Sequence, residues 1–355
     1  MLKNRRARLE RFFNTYDLDA ILFSNLLNIR YLCGFSGSEG ALLLTRDAAW
    51  FLCDSRYTTQ ASSEVGDAEV RQFAVKLDSI AELLAELKLS RVGFEAAHTT
   101  VADFRALSDR LEGVELTPIG AELDEIRSCK DRDEVERLGL VAAIASASLL
   151  AVLPLLKPGV GEAEIARELE FEMRRRGAEG RAFDFIVASG ERGAMPHGRA
   201  SAKPIRSGEL VTIDFGAVRD GYSSDETVTV ALGPPDERSR EIYGIVKEAH
   251  DRAVASVRPG VGCRELDAVA RECIRGYGYG DYFGHGLGHG VGLEIHEKPV
   301  ISPRGEAMVE EGMVFTIEPG IYIPGFGGVR IEDTLVVTAD GCRLLTQVPK
   351  ELMVL

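Results

Sequence analysis

Four carboxylates stand at matched places in two similar stretches of the chain, and the pairing suggests what they do. SGELVTIDFG (207–216) is echoed by EGMVFTIEPG (311–320), which sets Asp214 opposite Glu318. DETVTV (225–230) is echoed by EDTLVV (332–337), which sets Asp225 opposite Glu332. If the two stretches face each other, four acidic side chains converge, and four like charges do not share a dry pocket without cations. One such acid alone reads as a solvated residue at a strand end; four at matched positions point to a pair of divalent metals. An imidazole to complete the set lies in GHGLGHGVGLEIHE (284–297), where three of the six histidines, His285, His289 and His296, are clustered. Carboxylates with one imidazole suit hard or borderline ions, Mn²⁺ first, with Co²⁺, Fe²⁺ or Zn²⁺ as alternatives. Glycines around His285 and His289 let backbone approach a ligand closely. His98 and His250 have no such setting and read as structural or surface residues.

Other catalytic templates are missing. The chain has no GxSxG elbow, no HExxH, no P-loop, and no GxGxxG within its glycine-rich segment. Those absences favour metal chemistry.

The elements that must position these residues follow from pattern. A third echo, KPGVGEAEI (157–165) against RPGVGCREL (258–266), precedes the other two in the same order, and each copy leads into a helical stretch. Three similarities in one order indicate two related halves within one domain. Asp131 with Glu134 marks a helix start, and Val135, Leu138, Ala142, Ala145, Leu149 and Val152 continue it at three-to-four spacing. Before that, AILFS (20–24), ALLLT (41–45), AAWFLC (48–53) and RVGFE (91–95) alternate with helical patterns such as IAELLAELK, as in an α/β domain. The expected division is 1–125 and 126–355.

Bulk properties narrow the class. With 355 residues, 45% apolar and 28% charged, two globular domains with real cores are expected, and disordered or disulfide-scaffold readings drop out. A net charge of −14 argues against a nucleic-acid partner. Six scattered cysteines without a CxxC pair read as reduced thiols in a cytoplasm. The opening MLKNRRARLERFF is charged and amphipathic, so neither a signal peptide nor an anchor is expected. Val141 to Leu156, the most apolar run, reads as a buried helix rather than a membrane span.

Taken together, IDFG with Asp214, GYSSDET with Asp225, HGLGHGVGLEIHE with His289, TIEPGIY with Glu318 and GGVRIEDT with Glu332 resemble the creatinase and methionine-aminopeptidase superfamily, specifically its proline-specific branch. The first part, through NIRYLCGFSGSEG and DSRY (54–57), resembles the N-terminal domain of aminopeptidase P and related prolidases. The resemblance implies a pita-bread catalytic domain, α/β (α+β) in class, with an internal pseudo-two-fold repeat, preceded by a smaller creatinase-like α/β domain. It implies that Asp225 and Glu332 bridge two metals, that Asp214 completes one site, and that His289 with Glu318 completes the other. His197 in MPHGRAS, His285 and His296 match the family's histidines around the substrate, and Arg330 matches the arginine beside the last ligand. Glu318 is then the proton acceptor, and His285 and His296 hydrogen-bond the developing tetrahedral intermediate.

The implied substrates are peptides with proline at the second position. A prolidase takes dipeptides and must recognise a free carboxylate just beyond proline, whereas aminopeptidase P leaves that side open. Some family dipeptidases carry an arginine four residues after the histidine matching His296, well suited to a carboxylate. Here that position is Val300, with Arg304 out of register. With the DSRY segment this favours aminopeptidase P, the dipeptidase being the alternative and a non-catalytic binding module of the same fold a remote one. A methionine aminopeptidase is not expected to carry such a first domain, and a creatinase-like enzyme would lack the full ligand set. A homodimer is expected by family analogy alone.

Overall fold

The computed structural model describes residues 2–355, in two compact units that divide between Arg127 and Ser128. The first unit is built on strands β1 (Ala20–Phe23), β2 (Ala41–Leu44), β3 (Ala49–Cys53), β4 (Glu69–Gln72), β5 (Arg91–Glu95) and β6 (Glu115–Ile119). They form one sheet in the order β4-β3-β2-β1-β5-β6. The pairs β1/β2 and β2/β3 are antiparallel, while β3/β4, β1/β5 and β5/β6 are parallel. Sheets covered on both faces need continuous apolar strands, and AILF and ALLL are buried at every position. The helix Lys76–Glu86 lays Ile80, Leu83 and Leu84 into the core around Leu22, Leu43 and Val92. The helix Leu26–Cys33 starts at Asn25, whose side chain accepts from Leu27 N, and stops at Gly34, whose φ of 89° is one that glycine adopts without strain. β4 (EVRQ) is exposed and polar at the sheet edge, so no apolar run announced it.

In the second unit the helix Arg132–Val152 begins with the capping box read from Asp131 and Glu134: Asp131 accepts from Glu134 N, and Glu134 accepts from Asp131 N. By length and composition this helix, with the turn that follows it, is apolar enough to cross a membrane. More than half of its apolar window is buried inside the protein, with Val141, Ala145, Leu149 and Val152 packed against Ile165, Leu169 and Met173 of the helix Glu162–Arg175.

The remaining strands are β7 (Gly180–Arg181), β8 (Ile186–Ser189), β9 (Leu210–Phe215), β10 (Ala217–Arg219), β11 (Tyr222–Ser223), β12 (Glu226–Ala231), β13 (Gly288–Gly290), β14 (Glu297–Ile301), β15 (Val314–Ile317), β16 (Gly320–Ile323), β17 (Gly327–Arg330), β18 (Asp333–Val337) and β19 (Cys342–Leu344). They assemble as β12-β9-β8, β14-β13-β15-β18-β19, the hairpin β16-β17, and β11-β10-β7. The repeat is visible in three dimensions. One half has the helices Arg132–Val152 and Glu162–Arg175 with antiparallel β9/β12; the other has Glu237–Ser256 and Cys263–Gly276 with antiparallel β15/β18. KPGVG and RPGVG precede the second helix of each pair. This is the pseudo-two-fold α/β architecture expected from the echoes.

The halves are joined where their strands begin. Glu332 N donates to Thr227 O at 3.1 Å, and Thr334 Oγ1 donates to Asp225 O at 2.7 Å. Each half keeps its own core, one around Ile165, Ile213 and Val230, the other around Val246, Leu266 and Phe315.

Candidate metal centre

Strand alternation explains how the acids leave the cores. On β9, Val211, Ile213 and Phe215 are fully buried against the helices, so Asp214 points to the opposite face. Asp225 stands immediately before β12, Glu332 immediately before β18, Glu318 immediately after β15, and His289 in the middle of β13. One ligand atom from each of Asp225, His289 and Glu332 lies within 4.8 Å of the others. His289 Nε2 is 3.6 Å from Asp225 Oδ2 and 3.4 Å from Glu318 Oε1. Thus Asp225, His289, Glu318 and Glu332 form one group, and Asp214 is tied to it through Arg330, whose Nη2 donates to Asp214 Oδ2 at 2.6 Å.

The hydrogen bonds around the group hold it open for a cation. His289 Nδ1 lies 3.1 Å from Gly290 O, which can only accept, so the proton is on Nδ1 and the Nε2 lone pair faces the carboxylates. Burial holds His289 below the usual imidazole range, which favours this neutral form. Thr227 Oγ1 donates to Glu332 Oε2 at 2.6 Å, and Thr316 Oγ1 donates to Glu318 Oε1 at 3.1 Å while accepting from His289 N. Asp214 Oδ1 is buried and has no hydrogen-bond partner among the described residues. An orphaned acceptor of this kind is costly unless something positive meets it.

Charge leads to the same conclusion. Burial, and then the charges of Glu332, Asp214 and Glu318, push the Asp225 carboxyl well above its ordinary range. Burial followed by Glu318 and Asp214 does the same to Glu332, and burial raises Glu318. As a bare protein the cluster cannot ionise all its carboxylates at neutral pH; divalent cations would let it do so. The donor set, its orphaned oxygen and its neutral imidazole fit hard or borderline divalent ions.

The group lines a cavity of about 920 Å³ shared with His197, His285, His296, Arg199, Lys298, Val300 and Arg304. His296 packs against His289, ring centroids 4.2 Å apart, and burial followed by that neighbour pushes it down to about 4. His285 also lies at about 4, through burial and then Arg330. Its Nδ1 donates to Gly286 O at 2.7 Å, and its Nε2 is 2.9 Å from Tyr322 OH, which accepts from Arg330 Nη1 at 2.9 Å. A relay Arg330–Tyr322–His285 therefore engages the nitrogen that the sequence reading reserved for substrate.

Tyr322 is the residue that sequence reasoning missed. Its signal was present in TIEPGIY, four residues beyond Glu318, but a tyrosine on a strand is ordinarily core. On β14, Glu297, Pro299 and Ile301 are buried, so Lys298 and Val300 face outward on the cavity side. Neither Lys298 nor Arg304 makes an ion pair with another described residue.

Residues 136–339 match the family model for Metallopeptidase family M24, and residues 5–129 match the Creatinase/Prolidase N-terminal domain. The solved Xaa-Pro dipeptidase from Bacillus anthracis superposes with a TM-score of 0.97 at 42% identity, covering 100% of both chains. The Xaa-Pro dipeptidase of Pyrococcus furiosus is 40% identical over 99% of this chain and 100% of its own length. A solved X-Pro aminopeptidase from Thermotoga maritima gives a TM-score of 0.91 at 39% identity, covering 98% and 100%. With this family match over its second unit and such relatives along their whole length, the chain belongs to metallopeptidase family M24 and is a hydrolase of the pita-bread superfamily with a creatinase/prolidase N-terminal domain.

Proposed function

We propose that this metallopeptidase is an Xaa-Pro dipeptidase, cleaving the bond before proline in a dipeptide with a free carboxylate. The observation that carries the reading is the convergence of Asp225, His289, Glu318 and Glu332, with Asp214 alongside, beneath a cavity that also holds Lys298 and Arg304. The dipeptidases of Bacillus anthracis and Pyrococcus furiosus, similar end to end, support the dipeptide preference. They outweigh the tilt toward aminopeptidase P taken from Val300 and DSRY.

Asp214, Asp225, His289, Glu318 and Glu332 would hold two divalent cations, Mn²⁺ first, with Co²⁺, Fe²⁺ and Zn²⁺ as alternatives. When bound, these supply Lewis-acid activation of water and of the scissile carbonyl. Glu318 takes a proton from the attacking water on its carboxylate, which Thr316 Oγ1 orients by donating to Oε1. His296, neutral at working pH, donates a ring N–H to the developing oxyanion, and His197 at the same cavity orients the peptide. His285 acts through Tyr322, keeping Arg330 aimed at Asp214. Residues 126–355 are assigned as the catalytic domain and 1–125 as the creatinase-like one, in a cytoplasmic homodimer.

Hydrolysis of Xaa-Pro dipeptides beside Xaa-Pro-Yaa tripeptides tests the reading, with metal-stripped protein reconstituted with Mn²⁺ or Zn²⁺. Metal-dependent cleavage of dipeptides alone is expected. Faster tripeptide cleavage makes it an Xaa-Pro aminopeptidase, the reading that the Thermotoga maritima structure and Val300 favour.

A further inference from the structure

The two strands that begin at the metal centre each open with a pair of acids, Asp225-Glu226 on β12 and Glu332-Asp333 on β18. Neighbours along a strand face opposite ways. With Asp225 and Glu332 turned into the centre, Glu226 and Asp333 emerge on the back, where both are buried, at 0% and 2% exposure. Two buried carboxylates at the junction of the two halves present on the back the problem that the ligands present on the front.

One lysine answers it. Lys350, itself buried, brings Nζ to 2.6 Å from Glu226 Oε1 and 3.2 Å from Asp333 Oδ1. It comes from the segment after β19, which is pinned at alternate positions. Thr346 Oγ1 donates to Asp333 Oδ1 at 2.6 Å, Val348 N donates to Glu226 Oε1 at 3.0 Å, and Tyr243 OH donates to Lys350 O at 2.8 Å. Ser146 Oγ, on the helix Arg132–Val152, closes the other side of Glu226. His250 Nε2 stands 3.2 Å from Asp333 Oδ2.

We propose that Lys350 is a positioning residue for the metal centre: by clamping Glu226 of one half to Asp333 of the other, it fixes the separation of Asp225 and Glu332 on the opposite face. The inference rests on the metal-centre reading above. Without the ammonium, the charged tie between Glu226 and Asp333 is lost, and each of these residues is one peptide unit from a ligand, so the two strands are no longer held together where the ligand spacing is set. The flanking bonds, Glu332 N to Thr227 O and Thr334 Oγ1 to Asp225 O, are neutral and weaker than the charged clamp.

The test uses the full chain, stripped of metal and titrated with Mn²⁺ by calorimetry, with electron paramagnetic resonance of the bound ion. Lys350→Met keeps the stem and removes the charge; Lys350→Met/Glu226→Gln/Asp333→Asn also removes the two counter-charges, so no buried charge is left unpaired and the fold is retained. Both, folded by circular dichroism, are expected to bind Mn²⁺ about 10–100-fold more weakly, the usual cost of losing a group that orients a ligand, with an altered resonance spectrum. Wild-type Mn²⁺ affinity and spectrum in either folded variant overturns the proposal, and if the single variant does not fold the triple variant decides. A wild-type chain that takes up no Mn²⁺ overturns the metal-centre reading itself, and this proposal with it.

Discussion

Arg330 Nη2 donates to Asp214 Oδ2 at 2.6 Å, and the guanidinium is 4% exposed. The same group donates to Tyr322 OH at 2.9 Å, Pro196 O at 3.2 Å and Thr227 Oγ1 at 3.2 Å. A planar fork can reach these acceptors at once, and a lysine cannot. Arg330→Lys is therefore expected to weaken Mn²⁺ binding by about 10–100-fold and to lower kcat/KM in step, as a metal titration beside a rate assay would read.

Stability of the metal-free protein should depend on pH through its buried histidines. His285 and His296 each fall from an ordinary 6.5 to about 4, burial being the first cause in both. At these two groups the unfolded chain binds more protons between those values, so their contribution to stability rises with pH across that window, is full above about 6.5, and is lost as pH falls toward 4. Asp225, Glu318 and Glu332, raised by burial, act in the opposite direction over the same window, so the histidine part is read by difference: from pH 7 to pH 5 the urea midpoint of His285→Gln should fall less, or rise more, than that of the unsubstituted chain. An unchanged pH dependence in that variant would remove His285 as a source.

The first unit has its own buried acid. Glu95, 1% exposed, accepts from Ser24 N at 2.5 Å, Asn25 N at 2.7 Å and Asn28 Nδ2 at 2.7 Å. Glu95→Ala leaves three donors without that acceptor and is expected to destabilise this unit by about 3 kcal/mol, read as a lower denaturation midpoint.

Gly288 has no room for a side chain: a Cβ there would stand 1.9 Å from Thr316 O. Gly288→Ala must push β13 off β15 and carry His289 with it. A loss of about 3 kcal/mol in stability is expected, together with weaker Mn²⁺ uptake by the folded fraction.

Lys298 and Arg304 line the cavity without an acidic partner among the described residues. A dipeptide carboxylate would supply one. Replacing both by Met is expected to raise KM for Xaa-Pro dipeptides about tenfold, the scale of a lost charge-assisted hydrogen bond, with kcat little changed. An unchanged KM would mean that the carboxylate is held elsewhere.

Much of the fold was legible because its signals are local. AILF, ALLL and AWFLC became strands because continuous apolar runs suit a sheet covered on both faces. Asp131 and Glu134 became a capping box because the cap needs only those two residues at that spacing. The polar edge strand β4 gave no such sign, since an exposed edge buries nothing.

By itself the sequence determined which carboxylates correspond, because the repeated halves pair Asp214 with Glu318 and Asp225 with Glu332, the pattern from which a shared cation is expected. Only the tertiary structure decided what stands behind them. Tyr322 lies between Arg330 and His285, and Lys350 lies between Glu226 and Asp333, across 124 and 17 residues of chain. A hydrogen bond or ion pair depends on distance in space, and partners so far apart along the chain carry no common local pattern until the strands that bear them have been brought together.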